Sequence, residues 1–334
     1  MSDPLVTVLL SSHNGEQYLS EALDSMAAQT YGKWEWVLVD NASTDGTAGI
    51  MEAYRRRWPD NVRIVHNHSK LDLADSLNRG LEHARGDLIA RMDDDDIAHP
   101  GRLDRLVRAM EADPALILAG TPATRMDEAT GAMDTFMRPC DPVRARIVLC
   151  WYNPFIHASV MYRRLAPDGK PVRYPTIYSH AEDYGLWAGL AQAGRVVVLK
   201  EPSLTYRKRA GSMTGSRRDL QLASTREVSS WYTRTFTEGT ALAGISPERV
   251  KSLIEDPGVP DRQRIANVRL LFELAARPSF MRKGEDMRAL MDWAAPCLNA
   301  GTWGQLMVGD SRRLLLCAGF RQTLRYAAHR IATR

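Results

Sequence analysis

Three glycine signatures of common nucleotide and ester chemistry are missing from this 334-residue chain. It contains no G-x-G-x-x-G, no G-x-x-x-x-G-K-[ST] and no G-x-S-x-G. The first two absences count against dinucleotide-dependent oxidoreduction and P-loop hydrolysis, where glycines bring backbone N–H groups onto phosphates. The third leaves a serine-hydrolase reading without its nucleophile turn. Cysteine is scarce: Cys140, Cys150, Cys297 and Cys317 form no Cys-x-x-Cys pair and no zinc spacing. Reduced thiols in a cytosolic protein are expected rather than a disulfide framework. No run approaches the ~18 apolar residues of a spanning helix. The opening "MSDPLVTVLLSSHNGEQ" lacks the basic stretch of a signal peptide, so a cytoplasmic chain is expected. A formal net charge of +4 is too small to imply a nucleic-acid partner.

Apolar runs and helical patterns alternate through the first 120 residues. Strands are expected at Val6–Leu10, Trp34–Asp40, Val62–His66, Asp87–Met92 and Ala115–Gly120. Between them, helices are expected from about Glu16 to Ala28, after the caps of "STDGTAGIMEAYRRR", at Leu71–Ala84, and with Pro100 in a first helical position. This order predicts an α/β fold with a mostly parallel sheet flanked by helices. Further on, Phe155–Tyr162 reads as a strand, Ser179–Gly194 as a helix and "RVVVL" as a strand. Helical spacing dominates from about residue 216, which divides the chain into an α/β domain, 1–215, and a mainly helical extension, 216–334. Near the end, Leu316, Phe320, Leu324 and Ile331 trace one stripe flanked by Arg312, Arg321, Arg325 and Arg330. Such a stripe either packs on the rest of the protein or lies on an anionic membrane surface.

Polar residues collect where the strands end. "SSHNGE" follows the first, "DNASTDG" the second, "HNHSK" the third and "DDDD" (Asp93–Asp96) the fourth. Ligands of open α/β sheets sit beyond the carboxyl ends of the strands, so these loops predict one shared site. Two carboxylates ~4 Å apart repel by about 1 kcal/mol in water and about 4 kcal/mol at an effective dielectric of 20. A helix dipole returns only ~0.3–1 kcal/mol per acid. A hard divalent ion, Mg²⁺ or Mn²⁺, uses one or two carboxylates plus phosphate oxygens and would give the run a task. His66 and His68 sit two apart, but two ligands without a third are poor evidence for zinc.

Several of these stretches together resemble one family. "VTVLLSSHNGEQYLSEALDSMAAQTYGKWEWVLVDNASTDGT" is similar to the start of family 2 glycosyltransferases of GT-A fold. "ARMDDDDIAHPGRL" resembles their Asp-x-Asp segment and "AEDYGLW" their acceptor-side acidic motif, the match running over residues 5–215. The resemblance implies a metal-dependent, inverting transfer from a nucleotide-diphosphate sugar, a UDP-sugar in the first instance. The acceptor would be a hydroxyl of a saccharide or lipid-linked saccharide, as in bacterial surface polysaccharide synthesis.

Residue by residue, the resemblance implies that Asp40 accepts a hydrogen bond from the nucleobase and that Ser12, His13 and Asn14 line the nucleotide pocket. Asp95 is the expected metal ligand, with Asp93 or Asp94 near the ribose or a metal-bound water. Asp183 corresponds to the general base that takes the acceptor proton. Glu182, His157 and Trp187 are expected on the acceptor side. The family often closes its domain with a Tyr-Arg-x-His-like segment, but "LTYRKRAGSMTGSR" places Arg209 there. Arginine cannot ligate a metal, yet its fork can hold phosphate oxygens. A non-catalytic saccharide-binding scaffold is the alternative from another class. A nucleotidyltransferase is weaker, because "SSHNGEQ" has no basic residue.

Overall fold

The computed structural model describes residues 3–137, 139–209, 218–238 and 243–255. Its strands are β1 (Val6–Ser12), β2 (Trp34–Asp40), β3 (Val62–His66), β4 (Leu88–Arg91), β5 (Ile97–Ala98), β6 (Leu116–Gly120), β7 (Ala123–Asp127), β8 (Met133–Phe136), β9 (Met161–Arg163), β10 (Arg195–Val198) and β11 (Leu204–Lys208). The helices are α1 (Leu19–Ala27), α2 (Thr47–Arg57), α3 (Leu73–Leu81), α4 (Arg102–Ala112), α5 (Pro142–Val148), α6 (Glu182–Ala193), α7 (Arg218–Thr237) and α8 (Pro247–Glu255).

Seven strands form one sheet in the order β10-β6-β9-β4-β1-β2-β3. β1 pairs in parallel with β2 and β4, β2 with β3, and β6 with β10. A second sheet runs β5-β11-β7-β8. The expected α/β class with a mostly parallel sheet is therefore the observed one. β1 is buried along its whole length, as a central strand covered on both faces must be. Helix α1 buries Leu19, Ala22, Leu23 and Met26, the i, i+3, i+4, i+7 stripe of an amphipathic helix. Trp36 stacks on Trp34 at 4.8 Å and meets Trp58 edge-on at 5.4 Å, which anchors α2 to the sheet.

Four sequence expectations are corrected. Phe155–Tyr162 is not one strand: a 3-10 turn at His157–Ser159 precedes the short β9, which enters antiparallel between β4 and β6. Side chains capture the backbone there, since Asn153 Oδ1 accepts from the Phe155 N–H at 3.0 Å and Ser159 Oγ donates to the Ile156 and Thr121 carbonyls. Pro100 lies in the turn ahead of α4, whose first residue is Arg102. Helix α1 opens at Leu19 because 16–18 form a turn. Helix α3 is shorter than expected at both ends; at its start the Leu71 N–H is taken by Asn41 Oδ1 at 2.9 Å.

Contacts divide the chain into two compact units, Met1–Cys140 with Asn153–Val228, and Asp141–Tyr152 with the residues from Ser229 on. In the second unit Asp141 caps α5 through the N–H groups of Val143 and Arg144, both at 3.0 Å. Tyr232 Oη donates to the Arg146 carbonyl at 3.0 Å and Thr233 Oγ1 to that of Cys150 at 2.9 Å. Cys140 and Cys150 are both buried. The arginine-flanked stripe of 312–331 and the cysteines at 297 and 317 lie outside the described residues. Among the described residues no helix is long and apolar enough to cross a membrane.

Two buried charges of the first unit, Glu35 and Arg102, show how such groups find partners. Glu35 accepts from Thr7 Oγ1 at 2.7 Å and from Arg85 Nε at 2.6 Å. Arg102 is fully buried, and its Nη2 donates to the Ala158 carbonyl at 2.7 Å and to that of Arg91. It thereby ties the end of β4 to the turn before β9. Arg102→Met should lower the unfolding free energy by about 2–3 kcal/mol, because two buried carbonyls lose a charged donor. Urea unfolding reads this directly; a loss below about 0.5 kcal/mol, the range of a neutral surface change, would contradict it.

Candidate active site

The carboxyl ends of β1, β2 and β4 converge. Past β1, Ser12 Oγ donates to Asp94 Oδ2, joining the first strand's loop to the aspartate run. A Cβ on Gly15 would collide with both of those atoms, so only glycine lets the loop pass so close. His13 Nδ1 donates to the Asn41 carbonyl at 2.9 Å, and Asn14 Oδ1 accepts the Thr44 N–H at 2.8 Å. Asn14 and Ala42 both sit in the left-handed region, with φ of 56° and 58°. For alanine this costs roughly 1–2 kcal/mol, strain of the kind that gathers at ligand sites.

Asp40 is buried at the end of β2. Its Oδ1 accepts the Ser43 N–H at 3.0 Å, and its Oδ2 lies 3.2 Å from His66 Nδ1. Behind it, Asn67 Nδ2 donates to Asn41 Oδ1 at 2.9 Å and to Ser76 Oγ at 3.1 Å, while Ser76 and Ser11 share a 2.7 Å bond. The loops of three strands are thus locked to α3 by buried polar contacts, which specify one arrangement.

Each aspartate of the run meets a different environment. Burial works against ionisation of Asp93, but Arg91, whose Nη2 lies 2.5 Å from its Oδ1, outweighs burial and holds the carboxyl low. Burial pushes Asp94 up to about 6 against the Ser12 hydrogen bond, with Asp95 and Asp93 adding to the rise. Asp95 is raised by burial and by Asp93, while Arg209, its Nε 2.8 Å from Oδ2, opposes the rise. Asp96 is pushed well above the ordinary range by burial and its neighbours. Its Oδ1 accepts the Arg207 N–H at 3.0 Å, and its buried Oδ2 has no partner among the described residues.

The start of α6 is within electrostatic reach of Arg91 and Asp93. Asp183 Oδ2 accepts from Asn153 Nδ2 at 2.9 Å and Oδ1 from the Tyr184 N–H at 2.7 Å. Burial pushes Asp183 up to about 6, those two hydrogen bonds pulling against it, and pushes Glu182 up to about 7. Asp93 and Arg91 act electrostatically on both acids, so the run and these acids form one charge system. His157 Nε2 lies 3.0 Å from Tyr174 Oη, and burial depresses its imidazole to about 3, so the ring is neutral. Trp187 is fully buried against Phe155, His157, Tyr162 and Tyr174 and backs the wall with no face open to solvent.

Among the described residues no three His, Cys, Asp or Glu side chains form a ready-made metal cage. The donor set nevertheless fits a hard cation that takes one or two carboxylates and completes its shell with phosphate oxygens and water. Burial and neighbouring carboxylates disfavour the charged forms of Asp94, Asp95 and Asp96, a penalty that a bound cation would relieve, and Asp96 Oδ2 has no partner among the described residues.

Four residues of the site, Arg91, Asn153, Tyr18 and Arg207, are not among those expected from the sequence. Arg91 is the one charge within the apolar stretch 88–92, a signal that was legible, and it is fully buried, with Nε and Nη1 unpartnered among the described residues. Asn153, which orients Asp183, carries no local signal. Tyr18 supports the guanidinium groups of Arg207 and Arg209, 4.7 and 5.4 Å from its ring centroid.

Comparison with known proteins bears on the fold and the family. The profile of Glycosyl transferase family 2 matches residues 7–167. The chain is 34% identical over 194 residues to EpsE of Bacillus subtilis (strain 168), provisionally assigned as a glycosyltransferase, covering 58% of this chain and 69% of that one. It is 30% identical over 221 residues to the amylovoran biosynthesis glycosyltransferase AmsE of Erwinia amylovora, covering 64% and 80%. Residues 1–349 of S. aureus TarS in complex with UDP-GlcNAc share the fold at TM-score 0.53 and 18% identity, over 80% of this chain and 81% of that one. The mannosyltransferase PcManGT of Pyrobaculum calidifontis, in complex with GDP-Man and Mn²⁺, does so at 0.55 and 20%, over 95% and 86%. The protein is a glycosyltransferase of GT-A fold. It belongs to glycosyltransferase family 2.

The charge system predicts the behaviour of Asp183. A guanidinium favours the ionised carboxyl, so Arg91→Met should raise the Asp183 midpoint from about 6 by about one unit. Arg91→Lys should keep it near wild type. ¹³C NMR of aspartate-labelled protein, assigned with Asp183→Asn, would show this, and an unmoved midpoint in Arg91→Met would refute the coupling.

Proposed function

We propose that the protein transfers a sugar, with inversion, from a nucleotide-diphosphate sugar to a hydroxyl of a saccharide or lipid-linked saccharide. A UDP-sugar is the favoured donor, and surface polysaccharide synthesis at the cytoplasmic face of a bacterial membrane is the favoured setting. The observation that carries the reading is the pairing of an aspartate run with Asp183, a carboxyl held near neutrality within the same charge system. The UDP-GlcNAc complex of TarS and the polysaccharide role in the name of AmsE support donor and setting. The Mn²⁺ bound with GDP-Man in PcManGT supports a divalent cation here.

In this reading Asp40 accepts the N3–H of uracil, and Ser12, His13 and Asn14 wall the nucleotide. Asp93 or Asp94 lies near the ribose or a metal-bound water, and Asp95, with phosphate oxygens, would hold the cation. When bound, the cation supplies charge neutralisation on the departing diphosphate. Arg209 adds fixed positive charge to the same oxygens. Asp183 takes the proton from the acceptor hydroxyl as that oxygen attacks the anomeric carbon from the face opposite the diphosphate. One displacement of this kind inverts the configuration. Asn153 keeps one oxygen of the base fixed, and the neighbouring Glu182 is itself pushed up to about 7 by burial and by Asp183. The neutral His157 belongs to the acceptor wall.

Calorimetry with UDP, GDP, dTDP and CDP, with and without Mn²⁺, tests the donor side. UDP should bind, and Asp95→Ala should abolish the gain given by Mn²⁺; no binding of any nucleotide would end the proposal. Asp183→Asn should lower kcat by about 10²–10⁴-fold while leaving UDP affinity unchanged. Because the base works ionised, kcat/KM should rise with pH through about 6 and level off above it.

A further inference from the structure

Arg209 is paired with the one carboxylate that the proposed function gives to the cation. Three basic residues end β11 and its exit, and each is engaged. Arg207 reaches the Asp95 carbonyl through Nε at 3.0 Å and Glu21 through Nη2 at 2.6 Å. Lys208 Nζ lies 2.8 Å from Asp127. Arg209 Nε meets Asp95 Oδ2 at 2.8 Å. The ring of Tyr18 underlies both guanidinium groups, and its own hydroxyl is fixed to Glu128 at 2.6 Å. Arg209 is thus steered onto Asp95 by a braced platform, and its side chain is 38% exposed.

A carboxylate that already accepts a guanidinium N–H is a poor ligand for a dication, since the two positive charges repel across it. A diphosphate changes the competition. It offers Arg209 more negative charge and paired oxygens that fit its fork, a stronger partner than one carboxylate oxygen. We propose that Arg209 makes cation capture conditional on the donor: it occupies Asp95 in the nucleotide-free protein and yields it when diphosphate oxygens draw the guanidinium away. This rests on the assignment of Asp95 to the cation and of Arg209 to the diphosphate given above. No metal is then held by an empty site, and nucleotide and cation enter as one event.

Electron paramagnetic resonance of free Mn²⁺ over the full chain, without substrate turnover, tests the device. Without nucleotide, Arg209→Gln should bind Mn²⁺ on the order of tenfold more tightly than wild type, within the usual span of coupling between two ligands. Arg209→Lys, which keeps the charge, should stay near wild type. Arg209→Ala repeats the release without the glutamine amide. In calorimetry without metal, UDP should bind Arg209→Gln on the order of tenfold more weakly. Equal Mn²⁺ affinity of nucleotide-free wild type and Arg209→Gln would overturn the inference and leave the proposed transfer intact. If Mn²⁺ uptake in the presence of UDP were the same in Asp95→Asn as in wild type, the metal assignment itself would fall, and the inference with it.

Discussion

The cost of gathering carboxylates in a partly dry place governs this molecule. Asp93 to Asp96, Glu182 and Asp183 act on one another at one end of the sheet, and burial pushes every one of them up, with only Asp93 held low overall, by Arg91. At an effective dielectric of 20, one neighbouring pair costs about 4 kcal/mol, a large share of the roughly 5–15 kcal/mol that holds a domain folded. Most of what surrounds them answers that cost. Arg91 is buried where no solvent competes for its charge, the β11 backbone binds Asp96, and Ser12 and Asn153 donate to Asp94 and Asp183.

The same arrangement divides the labour among chemically identical side chains. The aspartate beside Arg91 stays ionised, whereas those one and two positions on sit closer to neutrality. Asp183 has the opposite surroundings from a surface acid at a helix start, because burial outweighs the help of the helix and of its two donors. Environment, more than residue type, assigns each carboxyl its part.

The first four strands and their crossovers were legible because long apolar runs and 3.6-residue stripes leave little choice of partner. β2 and β3 fall on the expected residues, and Gly194 ends α6 as expected. Beyond residue 120 the chain was less legible. β9 is only three residues long, and its partners β4 and β6 are set by the sheet, not by its own pattern. Strands β7, β8 and β11 form a small separate sheet with partly exposed faces, which weakens the alternation that would have announced them. The aspartate run declared itself by composition, whereas Asp183 stood out only through resemblance to a family. Asn153 and Tyr18 act through distant partners, and nothing within a few residues of either predicts that.

The antiparallel β9 has a consequence for how the protein comes to exist. Strands β1 to β4 pair in parallel with near neighbours in the chain and can assemble by local steps, gathering the loops at their carboxyl ends as they do so. Joining β6 to them requires β9, which pairs Leu88 with Arg163 and Leu118 with Tyr162. Contacts so far apart in the chain form slowly, since loop closure must precede any gain. The His157–Ser159 turn leads directly into that strand, and Asn153 lies just ahead of it. A chain emerging from synthesis would therefore hold the loops after β1, β2 and β4 before the turn at His157–Ser159, and complete the site only when one three-residue strand slots home.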